Sequence, residues 1–306
     1  MPDGINVSGD FERRGEMGRD IAVVTDSNSG ITQKQAERMG VSVIPMPFDV
    51  DGTTYFEDIS LTQEQFYERL AQGADIVTSQ PSPEAVMSLW DHLLESHDEI
   101  VHIPMSSGLS GSCETAMMLA ADYEGKVQVV DNQRISVTQR QSVLDAQHLA
   151  SQGLTAAQIR SVLEKKKMET GIYVMVDTLK YLRKGGRITP AAAALGTVLR
   201  LKPVLQIHGA RLDAFAKART VQQAKSLMIN ALKNEIEQCV GKDGDISSVH
   251  LEIAHTHNEA AALELRDQLR EATGSSDIYI DCLSLSVSCH IGPGALAVAF
   301  SKKIEA

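Results

Sequence analysis

A serine- and glycine-rich turn at residues 106–111 is the first place in this sequence where chemistry could occur. It follows an apolar, strand-like segment and precedes the first turn of a predicted helix. Small residues let the backbone bend tightly, and a helix N-terminus offers unpaired N–H groups and a positive dipole end. Ser106, Ser107 and Ser110 add hydroxyl donors at the same place. The turn suits an anion, either a carboxylate or a phosphate, but an ordinary serine-capped helix start explains it equally well.

Side chains far apart in the sequence could complete a site for a carboxylate. Thr78 and Ser79 lie in an extended turn, Arg187 stands on a glycine turn, and His290 precedes a Gly-Pro-Gly turn. Arginine provides a planar fork of donors, hydroxyls are neutral donors, and a suitably protonated histidine can also donate. If these groups converge with the serine turn, they form a compact clamp for one carboxylate.

Polar residues also end the first predicted strand, at residues 21–30. Asp26 and Ser29 lie at this end. Because ligands of parallel α/β sheets gather at the carboxyl ends of the strands, these side chains could support a ligand site. Asp26 can equally bond the amide groups of its own turn, and we favour this structural role for it.

Two other chemistries are alternatives with less support. A serine hydrolase could use Ser107 and His290, although no acid partner can be named and no G-x-S-x-G elbow is present. His255 and His257 share one face of a predicted strand, but a metal site needs a third ligand. We therefore expect no metal and no cofactor, and the sequence lacks the P-loop that would hold ATP.

Composition limits the classes of function. The chain has 306 residues, a net charge of −11 and four cysteines without a C-x-x-C pair. Its negative charge disfavours nucleic acid and anionic lipid surfaces as partners, and its thiols resemble the reduced thiols of a cytoplasmic protein. No apolar run of about eighteen residues exists, so we expect no stable membrane insertion.

The order of the elements predicts an α/β protein. A strand, turn, helix and second strand at 41–48 open the chain in the manner of a parallel sheet. Thr32, Ser82 and Thr155 are predicted helix caps. We predict a flexible tail at 1–19, an N-terminal α/β domain at 20–169 and a C-terminal α/β domain at 170–306. A small-residue helix is predicted at 191–199.

Six motifs in this order resemble those of the DegV family of bacterial fatty-acid-binding proteins, over nearly the whole chain after the tail. Each motif is weak alone, but together they are highly specific. They are TDSNS at 25–29, TSQPS at 78–82, SSGLSG at 106–111, YLRKGGRI at 181–188, KPVL at 202–205 and HIGPG at 290–294.

The resemblance implies a two-domain fold, with an N-terminal three-layer α/β/α parallel sheet and a C-terminal α/β domain with a mixed sheet. It implies one long-chain fatty acid, similar to palmitate or oleate, held with its carboxylate at the domain junction and its acyl chain buried. The residues that match the carboxylate ligands are Thr78, Ser106, Ser107, Arg187 and His290, with Ser79, Asp26, Ser29 and Gly108 in support.

The resemblance also implies a partner and a role. In family members with a partner kinase, the protein presents the carboxyl group to a fatty acid kinase, and the acyl phosphate serves phospholipid synthesis. Arg219 matches a surface arginine that meets this kinase, although a solvated charge at a helix start explains it as well. The chain would then be a carrier without catalytic residues of its own. A carrier of another anionic lipid without a kinase is the alternative.

Overall fold

The computed structural model describes residues 19–194, 201–241 and 245–304, where strands alternate with helices. The strands of this part are β1 (Ile21–Asp26), β2 (Ser42–Ile44), β3 (Pro47–Val50), β4 (Thr53–Phe56), β5 (Ile76–Thr78), β6 (Glu99–Ile103), β7 (Val127–Val129), β8 (Thr170–Met175), β9 (Lys202–His208), β10 (Arg211–Ala218), β11 (Val249–His255), β12 (Ile278–Cys282) and β13 (Leu296–Lys302). The α-helices are α1 (Gln33–Met39), α2 (Gln63–Ala71), α3 (Pro83–Leu94), α4 (Ser112–Ala120), α5 (Ser136–Ser151), α6 (Ala156–Lys165), α7 (Lys180–Gly185), α8 (Pro190–Ala194), α9 (Val221–Val240), α10 (Glu259–Thr273) and α11 (Leu285–Ile291). They form two α/β domains, one built on a parallel sheet and one on a mixed sheet.

The N-terminal domain is built on a parallel sheet with the strand order β2-β1-β6-β7. Successive residues of β1 point to opposite faces of the sheet. Ala22 and Val24 pack with helices α3 and α4, whereas Val23 packs with α1, α5 and α6. Both faces are apolar because helices cover both of them. This arrangement confirms the predicted three-layer α/β/α fold.

Hydroxyl caps determine where several helices of this domain begin. Thr32, Thr62 and Thr155 each accept a hydrogen bond from the backbone N–H three residues on, and the glutamine at that position bonds back to the cap. Ser82 caps α3, whose first residue is Pro83. Each such cap contributes about 1 kcal/mol to helix stability. The predicted caps at Thr32, Ser82 and Thr155 are confirmed.

The C-terminal domain is built on a mixed sheet with the order β10-β9-β8-β13-β11-β12. The pair β11 and β12 is parallel, and the other neighbours are antiparallel. Helices α9 and α10 cover one face through residues such as Leu232 and Leu265. The opposite face, with Val174, Ala254 and Ala297, turns toward the N-terminal domain. The predicted mixed sheet is therefore confirmed.

A small antiparallel sheet, β4-β3-β5, lies beside the two main sheets. It corrects the predicted single strand at 41–48, which is divided into β2 and β3. Pro45 and Pro47 explain the break, because proline has no N–H to donate to a strand ladder. In this sheet Phe48 pairs with Thr78, so the sheet carries Thr78 to the domain junction.

Some predicted boundaries are left open by the structure. The predicted start of the second domain coincides with the first residue of β8, and this boundary stays a prediction. The predicted helix at 191–199 begins within α8, but its part beyond residue 194 lies outside the described residues, as do residues 1–18 of the predicted tail. Within the described part of the chain, every helix is too short or too polar to cross a membrane.

Candidate functional site

A cavity of about 240 Å³ lies between the two domains. This volume is far larger than the roughly 10–15 Å³ that one water molecule needs. Much of its wall is the inner face of the mixed sheet and its neighbours, where the side chains are apolar. The apolar lining residues include Met46, Met105, Leu109, Ile135, Val137, Ile172, Val174, Leu182, Ile207, Leu212, Ala254, Leu283, Val287, Ile291 and Ala297.

Three of the predicted clamp residues meet at this cavity. Thr78 comes from the end of β5, His290 from α11 and Arg187 from the segment after α7. Thr78 Oγ1 lies 2.9 Å from His290 Nε2, which is hydrogen-bond distance. A hydroxyl, an imidazole and a guanidinium therefore line one cavity, although 212 residues separate the two ends of the Thr78–His290 contact.

The His290 ring is neutral at physiological pH. Burial and, to a smaller extent, the nearby positive charge of Arg187 together lower its pKa to about 4. A neutral imidazole has one nitrogen that donates and one that accepts. His290 can therefore take part in a hydrogen-bond chain with Thr78 while Arg187 supplies the positive charge.

Gly185 connects His290 to Arg187. Its backbone oxygen accepts a hydrogen bond from Arg187 Nη1. A Cβ atom added at Gly185 would overlap Nδ1 of the His290 ring. The absence of a side chain at this position lets α7 lie directly against the imidazole, so the glycine turn predicted to allow close approach does so.

Arg187→Ala is expected to raise the pKa of His290. The Arg187 charge is one of the two causes that lower this pKa, and burial, the larger cause, remains after the substitution. The pKa should therefore rise but stay below its ordinary value near 6.5. An NMR titration of the His290 Cε1 proton measures this change, and an unchanged midpoint would contradict the electrostatic coupling of the two side chains.

Ser106 and Ser107 lie outside the cavity lining. Ser107 Oγ donates to Asp131 Oδ2 at 2.6 Å, and Ser107 N lies 3.2 Å from Asp131 Oδ1. The backbone N–H groups of Leu109 and Ser110 bond to Ser106 O. The turn thus uses its donors internally and on a carboxylate, and a role for this serine pair in holding a ligand stays a prediction.

Gly108, in the same turn, lies against the C-terminal domain. A Cβ atom added here would overlap the backbone oxygen of Ala210, between β9 and β10. Gly108 therefore permits a close contact between the domains, while Leu109, Ser110 and Gly111 beside it reach the cavity.

Asp26 holds loops together at the carboxyl end of β1. Its carboxylate accepts hydrogen bonds from the backbone N–H groups of Asn28 (3.0 Å) and Met105 (2.8 Å), and from Gln139 Nε2 (3.1 Å). Burial raises its pKa, while these bonds lower it. Ser29 Oγ donates to the backbone oxygen of Asp26. Asp26 therefore bonds its own turn, as favoured from the sequence.

The cavity also contains polar side chains that sequence reasoning did not select. Asn28, Ser136 and Ser286 line it, in addition to the predicted Ser79. Asn28 falls within the motif at 25–29, which is a signal that could have found it. Ser136 and Ser286 carry no such signal, because their position depends on how α5 and α11 pack against the other domain.

The alternative chemistries gain no geometric support. His290 Nε2 contacts Thr78 and Ser107 bonds Asp131, so the two residues of the proposed hydrolase are each paired elsewhere. His255 Nδ1 accepts a hydrogen bond from Asn258 N, and the His257 ring packs against Tyr67 at 4.8 Å. Among the described residues no group of three His, Cys, Asp or Glu side chains could hold a metal ion.

Arg219 lies away from the cavity. It is exposed in the connection between β10 and α9, where its backbone N–H bonds Gln223 Oε1. This position fits either of its two predicted explanations, a partner contact or a solvated charge, and both stay predictions.

Comparison with known proteins assigns the family. A family model described as "Uncharacterised protein, DegV family" matches residues 20–303. A DegV domain-containing protein of Deinococcus radiodurans is 32% identical over 282 residues, covering 91% of this chain and 97% of the relative. A DegV domain-containing protein of Streptomyces coelicolor is 29% identical over 289 residues, covering 94% and 100%.

Two solved structures share the fold. A DegV family protein from Thermus thermophilus, described by its fatty acid binding, aligns with a TM-score of 0.84 and 29% identity, covering 93% of this chain and 100% of that one. DegV from Bacillus subtilis, described as a fatty acid binding protein, aligns with a TM-score of 0.80 and 27% identity over the same shares. The two-domain fold, the six ordered motifs and these matches lead to one conclusion: the chain belongs to the DegV family.

Proposed function

We propose that this protein binds one long-chain fatty acid, with the acyl chain in the interdomain cavity and the carboxylate at Thr78, His290 and Arg187. The observation that carries this proposal is a largely apolar cavity at which these three side chains meet. The fatty acid binding of the similar proteins from Thermus thermophilus and Bacillus subtilis supports it. Binding of this kind makes the chain a carrier of the fatty acid.

The energetics fit such a ligand. Burying a methylene group gains about 0.8 kcal/mol, so a long acyl chain gains on the order of 10 kcal/mol before the costs of ordering it. A carboxylate that leaves water must be compensated by donors or positive charge. Thr78 supplies a hydroxyl, neutral His290 supplies a ring nitrogen, and Arg187 supplies the charge. The tail thus provides most of the affinity, and the clamp selects the head group.

The proposal extends to a partner. The carboxylate would be presented to a fatty acid kinase, which forms the acyl phosphate for phospholipid synthesis, with Arg219 on the surface that meets the kinase. The exposure of Arg219 supports this role. We place the protein in the cytoplasm, because its four cysteines are free, as is usual in a reducing compartment.

Extraction of the purified protein with organic solvent tests the proposal. We expect mass spectrometry to find a long-chain fatty acid in amounts close to one per protein, because a buried acyl chain should dissociate slowly. Absence of any acyl chain, together with no binding of added palmitate or oleate, would overturn the proposal. Recovery of a different anionic lipid would favour the alternative hypothesis, in which the protein carries that lipid without a kinase.

The same preparation tests the partner. Protein loaded with labelled palmitate, mixed with ATP and a bacterial fatty acid kinase, should yield acyl phosphate, and Arg219→Ala should lower the rate without lowering palmitate binding. Lys233→Ala, a change at a lysine of α9, is the matched control. Equal rates for all three proteins would argue that Arg219 is only a solvated charge.

A further inference from the structure

Helix α11 carries His290 to the cavity, yet it begins without a cap of its own. Its N-cap residue, Ser284, makes no capping hydrogen bond, and its hydroxyl lies 3.2 Å from Ser286 Oγ. Leu285, the first residue of the helix, is fully buried. A buried N–H at a helix start needs an acceptor from elsewhere in the protein.

Glu57 of the N-terminal domain supplies that acceptor. Its Oε2 atom lies 2.7 Å from Leu285 N, across 228 residues of sequence. Its Oε1 atom accepts from Gln63 Nε2 at 2.7 Å, and the same Gln63 nitrogen lies 3.4 Å from Leu283 O. Glu57 and Gln63 together therefore hold the start of α11 from the other side of the domain junction.

The N-terminal domain also holds α11 further along its length. The contacts are Ser286 Oγ to Asn28 Oδ1 at 2.6 Å, Tyr67 OH to Ser288 Oγ at 3.0 Å, and Thr78 Oγ1 to His290 Nε2 at 2.9 Å. With the contact between Glu57 and Leu285, these make four attachments of α11 to the N-terminal domain. Among these four, only the one at Glu57 uses a carboxyl group of that domain. Glu57 itself is absent from the cavity lining, so it touches α11 but not the space for a ligand.

We propose that Glu57 is a positioning residue for the carboxylate end of the site: by holding Leu285 it sets the place of α11, and with it the direction of the His290 ring. This inference rests on the proposed fatty acid function, because it concerns the same cavity. It assigns Glu57 no contact with the fatty acid.

The surroundings of Glu57 make this attachment sensitive to pH. The pKa of Glu57 is raised to about 8, mainly by burial and also by the negative charges of Asp58 and Asp281, while the two hydrogen bonds oppose the rise. The titratable groups that face Glu57 are Asp58 beside it, Tyr67 from α2, and Asp281 and Cys282 from β12. All of these groups are acids, so none of them supplies a positive charge that would lower the pKa of Glu57.

The direction of the pH effect follows from two opposing causes, the hydrogen bonds that Glu57 accepts and the burial of its carboxyl group. Below about pH 8 the carboxyl group is neutral, and the oxygen that carries the proton is a poor acceptor. Above that pH both oxygens accept, one from Leu285 N–H and one from Gln63. Although these two hydrogen bonds strengthen on ionisation, the raised pKa shows that burial disfavours the charged form by more. The attachment of α11 should therefore weaken as the pH rises through about 8, and the environment of the head group should change with it.

The test is the carboxyl ¹³C NMR signal of bound [1-¹³C]palmitate, followed across pH. For the wild-type protein we expect a change of chemical shift with a midpoint near pH 8. Glu57→Gln should remove this titration yet keep palmitate bound, because an amide can still accept from Leu285 N–H. Glu57→Ala should displace the signal at every pH and release palmitate roughly fivefold faster, as expected for one lost hydrogen bond.

Glu68→Ala, which removes an exposed glutamate of α2, is the matched control and should titrate like the wild type. If Glu57→Ala fails to fold, the pH titration of Glu57→Gln still tests the proposal. A Glu57→Gln protein that titrates as the wild type does would overturn the proposal, because the titrating group would then be another one.

A second measurement separates this inference from the proposed function. If the wild-type protein binds no palmitate, the fatty acid function fails, and the His290 ring signals of the ligand-free protein become the readout. Those signals should still shift near pH 8 in the wild type and not in Glu57→Gln, since the contact with Thr78 needs no lipid. Identical His290 signals in both proteins across this range would overturn the positioning role.

Discussion

Gly185→Ala is expected to lower the affinity for palmitate by roughly tenfold or more, the loss of one hydrogen bond to a charged group. The added methyl group would overlap His290 Nδ1, so the ring must move away from Thr78. Alanine at a helical position otherwise stabilises a protein by roughly 0.5–1 kcal/mol relative to glycine. Helix propensity therefore cannot explain a loss of affinity for palmitate, and such a loss would report the contact with His290. Isothermal titration calorimetry with palmitate measures the change.

Lys180→Ala on the same helix is the control, because Lys180 is exposed and lies outside the cavity lining. It should bind palmitate as the wild type does. If Gly185→Ala also retains wild-type affinity and an unchanged His290 NMR signal, the ring does not depend on this glycine, and the assigned role of Gly185 is wrong.

Ala297→Leu is expected to change which chain length the protein prefers. Ala297 lies on β13 in the wall of the cavity, and only 4% of it is exposed. Three added carbon atoms occupy space that three methylenes of the ligand would use, at about 0.8 kcal/mol each. Palmitate should therefore bind roughly fiftyfold more weakly. Laurate, whose chain is shorter, should keep its affinity.

Competition between palmitate and laurate for each protein measures this preference directly. Ala260→Leu, the same chemical change at an exposed position of α10, is the matched control. An equal loss of affinity for palmitate and for laurate would indicate general damage to the fold. An unchanged preference would mean that the acyl chain does not pass Ala297.

Local signals in the sequence predicted where the helices with clear caps begin and where the first strand of the parallel sheet lies. Thr32, Ser82 and Thr155 act through neighbours three residues away, so their effect can be read from a short window. The end of α10 also has a local signal, because Gly274 follows it in the left-handed conformation typical of a helix end.

Helix α11 shows why other elements were missed. Residues 283–288 read Leu-Ser-Leu-Ser-Val-Ser, an alternation that is typical of a strand. The segment is instead a helix, in which Ser286 and Ser288 bond Asn28 and Tyr67, and no local pattern reveals these distant partners. Strand β13 was also missed, since its pairing with β8 and β11 depends on distant segments. Strand β10 was missed as well, although it pairs locally with β9.

The candidate site shows the same limit. The resemblance to the family selected Thr78, Arg187 and His290, and the structure brings these three together. It also selected Ser106 and Ser107, which lie outside the cavity lining, where the Ser107 hydroxyl donates to Asp131. Ser107 is paired with Asp131, whose carboxylate lies 24 residues after it in the sequence. Only the fold places the two side chains together.

The position of β13 in the mixed sheet has a consequence for biosynthesis. β13 lies between β8 and β11, although both of those strands precede it in the chain. Until residues 296–302 leave the ribosome, the antiparallel strands β8, β9 and β10 and the parallel pair β11 and β12 have no common partner. The wall that contains Ala297 is then missing. A nascent chain should therefore be unable to capture lipid, and a pulse-labelled chain truncated before β13 should remain sensitive to protease in both fragments of the sheet.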